Sequence, residues 1–112
     1  MTGYASGPEK IRQSIRLILQ TAPGERRMLP EFGCGIHELL FEPIDANLFG
    51  RISARVREAL IDWEPRIDLL DVRVETSPDR ETHLQIHIDY RLRDNNALQN
   101  MVYPFFLQEG LR

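Results

Sequence analysis

Residues 60–76, LIDWEPRIDLLDVRVET, contain the change of hydrophobic period on which the fold turns. Up to Trp63 the apolar residues recur at helical intervals, and from Ile67 they alternate with Asp, Arg and Glu as in a strand with one wet face. Pro65 stands at the junction. It lacks a backbone donor and disfavours the αR conformation in Glu64 before it, so a helix is expected to stop here and Trp63-Glu64-Pro65-Arg66 to form an extended elbow. Such an elbow holds an acid and a base at fixed positions, which suits docking better than catalysis.

Upstream of the elbow, Leu48, Ile52, Val56, Leu60 and Trp63 line one face of a helix expected from Ala46 to about Asp62, with Asp45 as its N-cap. Trp63 closes this stripe beside the elbow. Arg51, Arg55 and Arg57 share the flank, offset by Glu58 and Asp62, and are expected to be solvated. Pro43 separates this helix from a short one through Ile36 to Phe41. Pro30-Glu31-Phe32-Gly33-Cys34-Gly35 forms a tight connector whose glycines permit unusual backbone angles. Arg26 to Leu29 is expected to be extended. A first helix starts at Ser6, which has capping-box spacing to Glu9, with Pro8 in its first turn; it presents Ile11, Ile15, Ile18 and Leu19 to a core. Thr21-Ala22-Pro23-Gly24 ends it.

Downstream, Leu70, Val72 and Val74 are expected on one side of a strand over Ile67 to Thr76, with Asp71, Arg73 and Glu75 on the other. Ser77-Pro78-Asp79-Arg80 is a turn, after which Leu84, Ile86, Ile88, Tyr90 and Leu92 alternate with His83, Gln85, His87, Asp89 and Arg91. Two such runs form an antiparallel hairpin with one dry face. Arg93 to Asn96 breaks the chain again before a third extended run, Leu98 to Leu107. Pro104 lies within that run and cannot donate to a ladder, so an unpaired side is expected there. At least one of Phe105 and Phe106 is expected to be buried. The fold class is α+β: N-terminal helices packed on one face of a small three-stranded antiparallel sheet with open edges.

The 112 residues, 42% of them hydrophobic, fit one domain over 1–112 with a modest core and much exposed surface. Fourteen basic against seventeen acidic residues give a net charge of -3, which argues against nucleic acid as the main ligand. Cys34 is the only cysteine, so neither an internal disulfide nor a cysteine zinc site can form within the chain. Met1 to Gly7 is a short small-residue leader expected to fray or to be a trimmed start; it lacks signal-peptide features. No apolar stretch is long enough to cross a bilayer.

The sequence offers no catalytic constellation. Glu31, Glu38, Glu42, Glu64 and Asp68 lie near glycines or turns, but a glycosidase pair needs carboxyls about 5 to 9.5 Å apart with one pKa raised, and sequence spacing shows neither. His83 and His87 share a strand face roughly 13 Å apart, too far to hold one metal ion. No serine or cysteine has a nucleophile-like context, and no glycine-rich phosphate loop follows a strand. No metal, cofactor or catalytic residue is assigned.

Three collinear segments, ILQTAPGERRMLPEFGCGIHELLFEP (18–43), ALIDWEPRIDLLDV (59–72) and MVYPFFLQEG (101–110), resemble the gene-25-like baseplate wedge proteins of contractile phage tails. That family includes sheath initiators of R-type pyocins, extracellular injection particles and type VI secretion baseplates, and the resemblance runs from about Ser6 to Gly110. It implies a non-enzymatic assembly protein, similar to the strand-exchange domain of the sheath subunit, made in the bacterial cytoplasm and built into a baseplate. The implied partners are the sheath protein and baseplate wedge proteins, with central hub or tube-initiator proteins as further candidates, at six copies per baseplate and without nucleic acid or membrane insertion. The implied activity is initiation of the sheath by strand addition at an open edge, for which unpaired backbone groups supply a physical basis. The elbow, Glu64, Pro65 and Arg66 with Trp63 as apolar support, is implied to dock the wedge ring; the plainer alternative is that it only stops the helix and pairs its own charges. Glu31, Phe32, Tyr103 and Phe105 are further candidate partner contacts. A related protein of similar fold serves as an anti-adaptor, from which the PEFG and YPFFLQEG segments set this chain apart. Some members carry a lysozyme label, which makes a peptidoglycan hydrolase the alternative function, although no motif for it is present.

Overall fold

The computed structural model describes residues 7–107, so Ser6, the leader up to that residue and the end of the third segment lie outside it. Helix α1 (Gly7–Gln20) buries Ile11, Ile15, Ile18 and Leu19, the four positions its period predicts. Helix α2 (Ala46–Trp63) starts at the Asp45 cap, whose side chain accepts from the Leu48 N–H at 2.8 Å, and buries Leu48, Ile52, Val56 and Leu60, with Ala59 beside them. Between the two lies a five-residue 3-10 helix (Gly35–Leu39).

Strands β1 (Ile67–Thr76), β2 (His83–Leu92) and β3 (Leu98–Phe106) form one antiparallel sheet in the order β1-β2-β3. Along β2 alternation is complete, with Leu84, Ile86, Ile88, Tyr90 and Leu92 buried and the intervening residues half-exposed. These side chains, with those of α1 and α2, make one core cluster. Burial of this kind contributes about 25 cal/mol per Å² of apolar surface and holds helices to sheet.

Three expectations are corrected. In β1 the pairing register slips between Leu69 and Asp71, the mark of a β-bulge, so the inward parity changes along the strand. Ile67 and Leu69 pack inward before it, Val72 and Val74 after it, and Leu70 is left 45% exposed and out of line with the two valines. The segment Arg26 to Leu29 is bent at Arg27 and Met28 and forms no strand, because the loop closes on itself, with the Gly24 N–H donating to the Pro30 carbonyl at 2.6 Å. The arginine flank of α2 is solvated as expected, its side chains 34–45% exposed, but its acidic partners differ: Arg51 pairs with Glu42, Arg55 with Glu38 and the Gly35 carbonyl, and Arg57 with Asp71. Glu58 and Asp62 are not the partners, since the acids of neighbouring elements lie closer to each guanidinium.

The connector is held close to the end of α1. Gly33 has φ +128°, and a Cβ there would collide with the Thr21 carbonyl, the same group that accepts from the Cys34 N–H at 2.8 Å. Only glycine suits both demands. This contact sets Phe32 down beside the end of α2.

Candidate functional site

Proline at 65 ends α2 as expected, and Glu64 is its C-cap, in a non-helical conformation with its N–H still donating to the Leu60 carbonyl at 3.0 Å. Cap and tripeptide then fold back tightly. Arg66 grips the Glu64 carboxylate with two parallel bonds, Nε at 2.8 Å and Nη2 at 3.0 Å, while its backbone N–H reaches the same carboxylate at 3.4 Å. This fork is the strong geometry available to an arginine and a carboxylate.

The two charges are not presented alike. The Glu64 side chain is 1% exposed and that of Arg66 is 49% exposed. Burial pushes the Glu64 carboxyl up, but hydrogen bonds from Arg66 and from the Ser14 hydroxyl, with the Arg66 charge, bring it below its ordinary value. Both carboxylate oxygens are thus engaged within the chain. The elbow thus holds its acid and base at fixed positions, as expected, but the acid is an internal group that fixes Arg66 at the end of α2, and the base is the outward face. Ser14 of α1 is near enough to help hold the Glu64 carboxyl down. Nothing in the sequence marks Ser14 for this contact.

Around the elbow the surface is partly apolar. A shallow cavity of about 200 Å³ opens between the end of α2 and β1, lined by Ile61, Pro65, Ile67 and Leu69 among others, with Arg57 and Arg93 also on its wall. Ile61 is 68% exposed at this rim. Trp63 is half-buried on another side of the helix end, edge-on to Phe32 at 5.2 Å, and the Arg26 guanidinium lies 4.6 Å over the Phe32 ring. Arg26 was not singled out by the sequence; only the fold brings its loop over Phe32. Glu31 is exposed beside this cluster, in a second cavity of about 250 Å³.

The remaining candidates separate. Phe105 is buried in the core, and the exposed ring of β3 is that of Phe106, at 54%, tilted against His83 at 4.4 Å. Phe105 is therefore corrected from contact to core, because inward parity in β3 falls on Met101, Tyr103 and Phe105. Tyr103 is half-buried, and burial raises its hydroxyl pKa. Of the five acids near glycines or turns, Glu38, Glu42, Glu64 and Asp68 are all ion-paired, Asp68 to both Arg93 at 2.7 Å and Arg91 at 3.1 Å. Those two arginines hold the Asp68 carboxyl below its ordinary value. Cys34 is buried, and burial pushes its thiol up to about 11, so it is no nucleophile at neutral pH.

Comparison with known proteins agrees with this fold. The chain matches the family described as baseplate wedge protein gp25 over residues 5–97. It is 34% identical to baseplate wedge protein gp25 of Enterobacteria phage T4 over 89 residues, 80% of this chain and 67% of that protein. A crystal structure of a Geobacter sulfurreducens protein, provisionally described as a tail lysozyme, superposes with a TM-score of 0.89 at 48% identity, covering 99% of this chain and 100% of that one. A chain of the anti-feeding prophage baseplate gives a TM-score of 0.63 at 27% identity, covering 93% of this chain and 72% of that one. With the family matched along most of its length, the chain belongs to the gp25 baseplate wedge proteins and is a baseplate component of contractile injection systems.

Proposed function

We propose that this chain is a structural, non-enzymatic linker of the baseplate, which docks to the inner wedge ring through the elbow at the end of α2 and seeds the sheath by accepting a strand at its sheet. The internal fork of Glu64 and Arg66 carries the docking half of this proposal. It spends a carboxylate that is 1% exposed on fixing the backbone of Pro65 and Arg66, so that a rigid, half-exposed guanidinium stands beside the Ile61 and Pro65 surface. A rigid charge next to exposed apolar area is what interface anchors have in common. Glu64 acts here as a positioning residue, and Trp63 with Phe32 supports the helix end from the other side.

Sheath protein and wedge proteins are the partners this role requires, and six copies per ring belong to the same proposal, supported by the six-fold symmetry of the anti-feeding prophage baseplate. A peptidoglycan hydrolase is disfavoured by the chemistry of the carboxyls. A glycosidase acid needs a raised pKa, whereas Glu64 is lowered and fully paired, and Glu31 lies at a different cavity. Cell-wall clearing that is lost on Glu31→Gln or Glu64→Gln would reverse that conclusion.

Arg66→Ala is a confounded test of docking, because it also strands a buried carboxylate. Ile61→Asp is cleaner: the residue is 68% exposed, so the fold should be unchanged by circular dichroism. Retention on co-expressed wedge proteins is expected to fall by about tenfold or more. Full retention would remove the elbow surface from the interface.

A further inference from the structure

Two aspartates of β1 are each served by two arginines. Asp68 accepts from Arg93 Nε at 2.7 Å and from Arg91 Nη2 at 3.1 Å, while Asp71 accepts from Arg57 Nη2 at 3.2 Å and lies 3.3 Å from Arg73 Nε. One arginine would balance each charge. Arg91 and Arg73 stand on the strands themselves, and Arg73 is further engaged with Glu75 and Asp89. Arg57 on α2 and Arg93 just past β2 stand instead on the wall of the cavity beside the elbow.

Both cavity-wall guanidiniums have donors to spare. Each spends one nitrogen on its aspartate, and an arginine carries a planar fork of N–H groups, so most of each fork is left for another acceptor. Their side chains are 42% and 59% exposed. The Arg93 N–H also donates to the Arg66 carbonyl at 3.0 Å, which pins the chain after β2 to the elbow. Besides the two arginines, the cavity has an apolar lining of Ile61, Pro65 and Leu69. Its acids are already spent, Asp68 on two arginines and Glu64 inside its fork with Arg66.

We propose that this cavity is a carboxylate subsite, which takes an Asp or Glu side chain of the wedge-ring subunit set among apolar residues, and that Arg57 and Arg93 hold it. This rests on the docking role proposed above and names the chemistry of its partner. Charge complementarity selects the occupant. A Lys or Arg entering here meets two guanidiniums and only acids that are already paired, whereas a carboxylate gains charge-assisted bonds from donors that the fold does not need. Ile61, Pro65 and Leu69 bury the apolar flank of the same segment, and the loss of water around the pair strengthens it.

The double supply of the two aspartates makes the test clean. After Arg57→Gln, Asp71 keeps Arg73, and after Arg93→Gln, Asp68 keeps Arg91, so neither change strands a carboxylate and the fold should be unchanged by circular dichroism. The full chain is co-expressed with the wedge subunits of its own gene cluster, and wedge protein retained on the tagged chain is read between about 0.1 and 1 M salt, over which the screening length falls from about 10 Å to about 3 Å. The chain carrying both substitutions should retain about tenfold less wedge protein at the lower salt, and its retention should respond less to salt than that of wild type. Undiminished retention by that chain, with loss on Ile61→Asp, would overturn the carboxylate subsite and leave docking at the elbow standing. A loss that keeps the salt response of wild type would also overturn the subsite, because the arginines would then act through packing alone. Undiminished retention by both that chain and Ile61→Asp, or none by wild type, would overturn docking and the subsite with it.

Discussion

Along β1 and along β3 the same sheet meets solvent in opposite ways. At β1 the chain spends charge and cover: Arg57 bridges from α2 to Asp71, Arg73 reaches Asp71, Glu75 and Asp89, and the Ser53 hydroxyl donates to the Val72 carbonyl at 3.3 Å. That carbonyl points away from β2, so α2 satisfies a group that would otherwise be an open template. β3 itself carries no charge, no helix among the described residues packs on it closely enough to match the contact of α2 with β1, and one proline interrupts its row of backbone groups. Edge protection is thus a local choice of sequence within one small sheet, and the unprotected side is where a partner is to be sought. The elbow belongs to the protected side, where Glu64 and Arg66 extend the ion-paired surface to the end of α2.

The sharpest way to break this contrast is amide hydrogen exchange. On β3 the amides of Met101, Tyr103 and Phe105 face β2 and are expected to exchange only on large openings, whereas those of Asn100, Val102 and Phe106 face water. For a domain of ordinary stability the two sets should differ by about 10³-fold or more. Uniform protection along β3 would mean that its edge is already paired.

Next in size is the cost of Arg66→Ala. Removing a partner from a fully buried pair costs about 3–5 kcal/mol, but this guanidinium is half exposed and solvent reaches it, so about 1–3 kcal/mol is expected from urea denaturation. The protected side would then hold a larger stability effect than any surface change on β3, where Val102→Lys should stay within about 0.5 kcal/mol. Equal effects on the two sides would erase the distinction.

How far this contrast could be foreseen depends on what each residue's neighbours in sequence reveal. The helical stripe of α2, its Asp45 cap, the Pro65 stop and the alternation of β2 are local patterns, and each survived folding unchanged because the core rewards the same face that the period marks. The bulge at Leu70 is not local: a run of LLDV cannot say where an extra residue enters, since that is set by pairing with Tyr90 and Asp89 across the sheet. The lowered pKa of Glu64 also draws on a residue distant in sequence, Ser14 on α1. For Phe105 and Phe106 the signal was present, because Met101 fixes the parity of the strand, but two adjacent aromatics conceal it. The ion pairs of Arg51, Arg55 and Arg57 were invisible for a different reason: their partners come from other elements, which no helical spacing can supply.

Glu64 also gives the protected side a pH signature that β3 cannot have. Its carboxyl lies below its ordinary value of 4.5 in the folded chain, and an unfolded chain has lost Arg66 and Ser14 as fixed partners. Above 4.5 both states are ionised and the full contribution of the fork is present. As pH falls below 4.5 the unfolded state takes up a proton first, so stability declines, and the decline ends only when pH passes the lower folded value. Glu64→Gln removes that titration. The variant should be less stable than wild type at pH 7, since an amide cannot accept the charged fork as well, yet its melting midpoint should fall less steeply between about pH 5 and pH 3. Asp68, held down by Arg93 and Arg91, titrates in both proteins and cancels in the difference. Parallel pH profiles for wild type and variant would show that the fork is solvent-screened despite the burial of its acid, and Glu64 could then no longer be the anchor that makes Arg66 rigid.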